Sequence, residues 1–373
     1  MSQHKILIIC IDAGGHDYLA ASEIPNIQKL AEEGFYQHAR SVIPSVTNVN
    51  NVSLATGTFP ETHGITTNYH VDRETGKGEF IEDSRFLLAP TLFERAKLSG
   101  FAEKTALLVT KKKLLRMLEA GTDIAIAAED PPTEYVETVG PVEDIYSSEI
   151  NWWLLRALRE VLREHDPQLA YCSTTDWNQH KYAPTEEHSL EHIAELDRLI
   201  GEIVDDNPER EIYITADHAM LPKNRALDPG RWLTEHGVPS SAIPIIKDRY
   251  VAHHGNLGGA AYVFLQRMAD LPEAIETLGA APGVEEVYTS DEAASQFRLH
   301  PDRIGDIFIL ADRDTVFGEL TETETVVDIR SHGSRHESEV PVIGYNSPWG
   351  ASDFAYNLDV GRLFLNSLGE RFD

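Results

Sequence analysis

"KILIICID", residues 5–12, decides the fold of this chain. It is a near-continuous apolar run, rich in isoleucine, that ends on Asp12. A strand with one wet face alternates apolar and polar residues. A run apolar at every position reads as a strand covered on both faces, the kind found in parallel sheets. The pattern recurs in "TALLVT" (105–110), "QLAYCSTTD" (168–176) and "REIYITADH" (210–218), each an apolar run followed by polar residues. "YQHARSVI" reads as a further strand. Between the runs lie helical patterns: an amphipathic segment from Asp17 to Glu33, then 147–165 and 186–206. Strands alternating with helices predict an α/β fold, a doubly wound and mostly parallel sheet with helices on both faces.

The rhythm changes after Asp217-His218. Residues 230–305 hold "GGAAYVFL", a helical "LPEAIETLG" and "GVEEVYT", a βαβ-like unit that predicts an inserted α+β cap. The main sheet is expected to resume with "DIFILAD" (306–312) and "PVIGY" (341–345). The expected core is therefore 1–229 and 306–373, with the cap over 230–305. "NYHVDRETGKGEF" (68–80) reads as a hairpin or a long loop.

A chain of 373 residues suits one large domain carrying a smaller insert. The formal net charge of -29 argues against nucleic acid, whose backbone is bound by clustered Lys and Arg. An anionic substrate would need local cations to reverse the sign of the field at its site. No apolar run is long enough to span a bilayer, and no leader pattern opens the chain, so the expected location is cytoplasmic, without a membrane partner. The two cysteines, Cys10 and Cys172, read as buried free thiols. The sequence leaves a homodimer open.

In sheets of this kind ligands bind beyond the carboxyl ends of the strands. Asp12, Asp176 and the pair Asp217-His218 fall at such ends. His180 follows Asp176 by four residues, a spacing that places both on one helical face. "RSHGSRHE" (330–337) adds His332 and His336. Carboxylates and imidazoles with almost no sulfur suit zinc, manganese or iron. Each signal alone has a plainer reading, as a turn residue, a chance helical pair or a solvated loop histidine. Their convergence on one sheet edge favours a two-metal centre, which can clamp the attacking and leaving oxygens of phosphoryl transfer. Asp12, Thr47, Asp217 and His218 would form one site, and Asp176, His180 and His332 the other.

Thr47 lies in "SVIPSVTNVNNVSLATG" (41–57), at the start of a helical segment. There it could cap the helix, or it could be a nucleophile activated by a metal and by the helix dipole. The remote ligand set favours the nucleophile, with Ser45 left as the cap.

The segments "PSVTNVNN", "DSRFLLAPTLFERA", "STTDWNQHKYAP", "ITADHAMLPK", "RYVAHHGNLGGAA", "PDRIGDI" and "RSHG" resemble the alkaline phosphatase superfamily, in the branch that holds nucleotide pyrophosphatase/phosphodiesterases and phosphonoacetate hydrolases. They are most similar to the phosphonoacetate hydrolases, inside the cap as well as the core. The resemblance implies two Zn2+ ions, with Mn2+ or Fe2+ as substitutes, and cleavage of a small anionic phosphonate, phosphonoacetate, to acetate and phosphate. It implies that Thr47 is the nucleophile, that the seven residues above are the metal ligands, and that Asn68 holds a phosphoryl oxygen. His332, in "SHG", is implied over His336.

The same resemblance places two lysines, one residue apart, after the strand "TALLVT". Here "KKKLLRML" (111–118) follows. Lys111 and Lys113 match if one residue is deleted; without a gap only Lys112 matches. Three lysines most simply mark a solvated helix start, but cations there oppose the helix dipole, which suits an anion site better. Two positions depart from the family pattern: Ala13 and Ala219 stand where glycine is usual. His253 and His254 read as structural or as supports of the ligands, and His63 as structural. The alternative function is a nucleotide pyrophosphatase/phosphodiesterase on the same metal core. A sulfatase is disfavoured, because neither proline nor arginine follows Thr47 in the required motif. A metal-binding or phosphonate-sensing protein without activity would have little need of Thr47 beside a full ligand set.

Overall fold

The computed structural model of the chain describes residues 4–73 and 75–369. Its centre is a seven-stranded sheet in the order Phe35–Arg40, Glu339–Tyr345, Glu211–Thr215, Ile6–Cys10, Leu169–Ser173, Thr105–Val109, Ile124–Ala127. From Glu211–Thr215 to Ile124–Ala127 every neighbour is parallel. Glu339–Tyr345 runs antiparallel to both of its neighbours. The apolar runs are continuous because both faces are covered. Leu7 and Ile9 pack with residues of the helices Glu149–His165 and Glu187–Asp206. Ile6, Ile8 and Cys10 face the other way, towards the helices Thr47–Thr56, Leu92–Leu98 and Asp359–Ser367. Cys10 and Cys172 are buried free thiols.

The segment from Asp17 to Glu33 is two helices, His16–Ala21 and Pro25–Glu33. Pro25 enforces the break, since a residue before proline is driven out of helical geometry. Tyr69–Val71 pairs with Gly78–Phe80 as a hairpin.

A second sheet has the order Ser240–Pro244, Ala260–Leu265, Ile307–Ala311, Val284–Thr289, with every neighbour antiparallel. The helix Leu271–Gly279 joins Ala260–Leu265 to Val284–Thr289, and Ile307–Ala311 lies between them. The βαβ unit is therefore split. This corrects one expectation: the run 306–312 belongs to the second sheet, and the main sheet resumes only with Glu339–Tyr345. The physical reason is visible in its burial. Ile307 and Ile309 pack inside the second unit, while Phe308 and Leu310 pack into the large core cluster that also holds Val49 and Leu54. A strand covered on both faces looks the same from sequence whichever sheet it joins.

A third sheet places Leu221–Leu227 between Thr315–Phe317 and Glu324–Ser331. Ser331 pairs with Leu221. That register carries His332 back beside the end of the strand that delivers Asp217 and His218.

Candidate metal centre

Every strand end singled out in the sequence delivers its acid to one buried cluster. Asp12 follows Ile6–Cys10, and its backbone N–H donates to Thr174 Oγ at 2.8 Å. Both oxygens of its carboxylate are buried and accept no hydrogen bond from the described residues, with His218 Nε2 3.4 Å from Oδ1. Burial first, and repulsion from Asp176 and Asp217 second, push Asp12 well above the usual carboxylate range. An orphaned buried carboxylate is costly unless a cation sits beside it.

Asp176 occupies the N-cap position of the short helix Trp177–Lys181 without a side-chain cap bond, and the helix presents His180 beside it. Asp176 Oδ2 lies 3.0 Å from His180 Nε2 and 3.6 Å from His332 Nε2. Burial alone would raise Asp176, but His180, His253 and Lys111 hold it well below its ordinary range. Two ligand groups result, Asp176 with His180 and His332, and Asp12 with Asp176 and His218; within each, the ligand atoms lie within 4.8 Å of one another. The histidines are turned by their other ring nitrogen. His180 Nδ1 lies 2.7 Å from the Arg330 carbonyl, His332 Nδ1 2.9 Å from the Ser45 carbonyl, and His218 Nδ1 3.0 Å from the Ala219 carbonyl. Such bonds fix the tautomer and leave Nε2 basic and pointed at the pocket. His218 and His332 stack with centroids 3.6 Å apart, and burial followed by His218 keeps His332 well below its ordinary pKa. The donor set and the orphaned Asp12 both fit divalent cations.

Asp217 is held differently from the other ligands. Its Oδ1 accepts from the backbone N–H groups of Ala13 at 3.1 Å and His218 at 3.0 Å, and its Oδ2 accepts from Asn51 at 3.1 Å. Oδ2 also lies 3.6 Å from His218 Nε2, so the carboxylate borders the cluster. Tyr171 in turn donates to Asn51 Oδ1 at 2.6 Å. Asn51 and Tyr171 are supports that the sequence reading missed.

Thr47 opens the helix Thr47–Thr56, and its hydroxyl lies 3.3 Å from His218 Nε2. The rest of that helix is buried, so its first residue meets the pocket with few alternatives. Asn50 accepts from Val42 N–H at 2.8 Å and donates to the Val42, Pro44 and Val46 carbonyls, which pins the loop that leads to Thr47. The N-cap position is Val46, with no side-chain cap, and Ser45 donates instead to the Ser334 carbonyl at 2.6 Å. The expected capping role of Ser45 is thus corrected. An uncapped N-terminus keeps backbone donors for an anion.

The family comparison bears directly on this arrangement. The model of the type I phosphodiesterase / nucleotide pyrophosphatase family matches residues 6–335. The chain is a member of that family. It falls within the alkaline phosphatase superfamily. Its fold superimposes on a phosphonoacetate hydrolase from Sinorhizobium meliloti in complex with phosphonoacetate, with TM-score 0.88 and 30% identity, over 98% of this chain and 96% of that one. Among curated relatives, the bis(5'-adenosyl)-triphosphatase enpp4 of Xenopus laevis is 21% identical, over 89% of this chain and 69% of its own length. The mouse protein of that name is 26% identical, over 61% of this chain and 50% of its own. The murine ectonucleotide pyrophosphatase / phosphodiesterase 5 structure, at 18% identity and TM-score 0.70, shares the fold.

This member of the type I phosphodiesterase / nucleotide pyrophosphatase family is thus a metallo-hydrolase of the superfamily, and its acids and histidines form two candidate metal-binding groups. No helix among its described residues is long and apolar enough to cross a membrane. Beside the ligands lies a second cluster. Lys111 precedes the helix Lys112–Leu118, and its Nζ lies 3.7 Å from Asp176 Oδ1. Burial opposes its charge, but Asp176, Asp12 and Asp248 raise Lys111 above its ordinary pKa. Lys113 is equally buried and forms an ion pair with Asp248. Lys112 points elsewhere, to a more exposed pair with Asp130. Lys111, at the N-cap in extended backbone, and Lys113, inside the helix, both reach the buried acids, while Lys112 is left out. Asn68 is buried next to them; its amide N–H group donates to Asp248 Oδ2 at 3.4 Å, and its Oδ1 accepts no hydrogen bond.

The segment between the second-sheet strands Ser240–Pro244 and Ala260–Leu265 supplies the groups that were left without a role. His253 Nε2 lies 2.6 Å from Asp176 Oδ1, so a histidine of this segment touches the Asp176 carboxylate. His254 Nε2 lies 3.1 Å from Asp248 Oδ1. His336 lies outside the cluster, 2.6 Å from Glu285. His63 is buried between Ser53 Oγ at 2.9 Å and Ile65 N–H at 3.1 Å, and burial lowers it to about 3.

The two departures from glycine have a local account. Ala13 adopts φ 54°, a left-handed conformation that glycine enters freely and alanine enters at a cost of about 1–2 kcal/mol. Ala219 fits because Gly15 faces it: a Cβ at Gly15 would lie 2.9 Å from the Ala219 methyl.

Proposed function

We propose that this protein hydrolyses the carbon–phosphorus bond of phosphonoacetate, giving acetate and phosphate. The observation that carries the reading is the buried pair Lys111 and Lys113 beside the metal-ligand cluster, where a phosphodiester has no carboxylate to offer them. The bound ligand named for the similar Sinorhizobium meliloti structure supports it. Asp12, Asp217 and His218, with Thr47, would hold one cation, and Asp176, His180 and His332 the other. Two divalent cations in those places, zinc first among them, supply Lewis-acid stabilisation of oxyanions and lower the pKa of oxygen nucleophiles.

In this reading the Thr47 oxygen attacks phosphorus as its hydroxyl proton leaves to solvent. The P–C bond breaks, and its electron pair passes to the methylene carbon, delocalised onto the carboxylate. Lys111 and Lys113 stabilise that charge, the carbon takes a proton from solvent, and acetate departs. The Asn68 amide N–H groups and the uncapped N–H groups of the Thr47 helix hold the phosphoryl oxygens. Water then attacks the phosphothreonine, releasing phosphate and restoring the Thr47 hydroxyl. The substrate is a small cytoplasmic metabolite in this account. Incubation of zinc-loaded protein with phosphonoacetate should release acetate and phosphate in equal amounts; absence of both products overturns the proposal. The second reading, a nucleotide pyrophosphatase/phosphodiesterase, is favoured by the names of the curated relatives.

A further inference from the structure

The cap segment Asp248–His254 puts an aromatic ring under both lysines. The Tyr250 ring centroid lies 5.3 Å from Lys111 Nζ and 5.4 Å from Lys113 Nζ. One ring is thus nearly equidistant from two like charges that would otherwise repel each other. The ring is itself fixed, because the Tyr250 hydroxyl donates to Glu129 Oε2 at 2.8 Å. The other oxygen-rich end of the segment is fixed too: Asp248 Oδ1 accepts from Tyr250 N–H at 2.7 Å and faces His254 Nε2 at 3.1 Å, while Oδ2 pairs with Lys113.

We propose that Tyr250, braced by Asp248, positions Lys111 and Lys113 as a matched pair and so makes the pocket selective for a phosphonate that carries a carboxylate. The inference rests on the carboxylate role given above to the two lysines. A buried ammonium gains from an aromatic face about what an exposed hydrogen bond gives, and more when water is excluded. The negative face of the ring leaves the ammonium N–H groups free to point away from it. Asp248 takes one donor of Lys113, and Lys111 lies 3.7 Å from Asp176 Oδ1, so each ammonium keeps N–H groups for an incoming carboxylate. The core alone supplies the lysines; the cap supplies the surface that spaces them. Selectivity is then a property of the contact between the two parts.

The test separates binding from turnover. Zinc-loaded Thr47→Ala protein is titrated in a calorimeter with phosphonoacetate and with ethylphosphonate, which has no carboxylate, and the ratio of the two Kd values is read. Adding Tyr250→Leu should reduce the ratio Kd(ethylphosphonate)/Kd(phosphonoacetate) about tenfold, by weakening phosphonoacetate. Adding Tyr250→Phe, which keeps the ring and loses only the hydroxyl, should hold the ratio within about twofold. Asp248→Asn should reduce the ratio in the same direction as Tyr250→Leu. A ratio unchanged in Tyr250→Leu, or lost equally in Tyr250→Phe, overturns the inference. Failure of wild-type protein to cleave phosphonoacetate would strike the proposed reaction instead, and leaves these Kd ratios as an independent reading. Thermal melts of each variant identify any that fail to fold.

Discussion

The two halves of the pocket are assembled in different ways. The ligand half hangs on the carboxyl ends of three adjacent parallel strands, with Thr47 on a buried helix next to them. Its side chains are set mostly by the core, apart from His332, which arrives through strand pairing, and Asp176, which His253 also touches. The lysine half is a contact between one core helix and a loop of the second sheet. Chemistry common to a superfamily belongs in the rigid half. Substrate preference can be set in the other half, where a change in one cap loop leaves the ligands in place.

That contrast can be broken most severely at Thr47. Thr47→Ala should abolish turnover, by on the order of 10⁴-fold, while metal content by atomic absorption stays near wild type. Loss of metal together with activity would show that Thr47 acts chiefly by holding the cation and would leave its role as nucleophile without support. Next in size, Lys111→Ala and Lys113→Ala should each lower kcat/KM for phosphonoacetate on the order of 10²-fold, the scale for truncating one member of a buried charge pair. A p-nitrophenyl phosphodiester should lose far less. Equal losses on both substrates would dissolve the distinction between the halves. His253→Gln crosses the boundary, because a cap residue there touches Asp176. It should weaken metal affinity about tenfold, as supports of metal ligands commonly do, measured by competition with a chelator. Unchanged affinity would show that the cap has no hold on the ligand half. The smallest effect is expected at Ala13. Ala13→Gly removes left-handed strain but loosens the unfolded chain and deletes a buried methyl, so urea unfolding should shift by less than about 1 kcal/mol. A loss of several kcal/mol would show that the methyl packs more than it strains.

Much of the ligand half was legible in the sequence, because a parallel sheet makes neighbours of residues at the ends of remote apolar runs. Asp12, Asp176 and Asp217 announce themselves by position, and His180 by its spacing. His332 was harder, since its approach depends on the pairing of Ser331 with Leu221, which neither stretch reveals alone. The choice among Lys111, Lys112 and Lys113 could not come from composition; it follows from where the helix starts and which way each side chain leaves it. Asp248, Tyr250 and His253 had only a weak signal: an acid, an aromatic and two histidines crowded into seven residues. The run 306–312 misled for the opposite reason, since burial on two faces erases the difference between sheets.

The most direct measurement is kcat/KM of the zinc-loaded protein for phosphonoacetate, for a p-nitrophenyl phosphodiester and for a phosphomonoester under one set of conditions. The account predicts that phosphonoacetate is preferred over both, and that the preference over the diester shrinks in Lys111→Ala. A diester preferred by orders of magnitude would contradict it, and would leave the same metal-ligand cluster serving a phosphodiesterase.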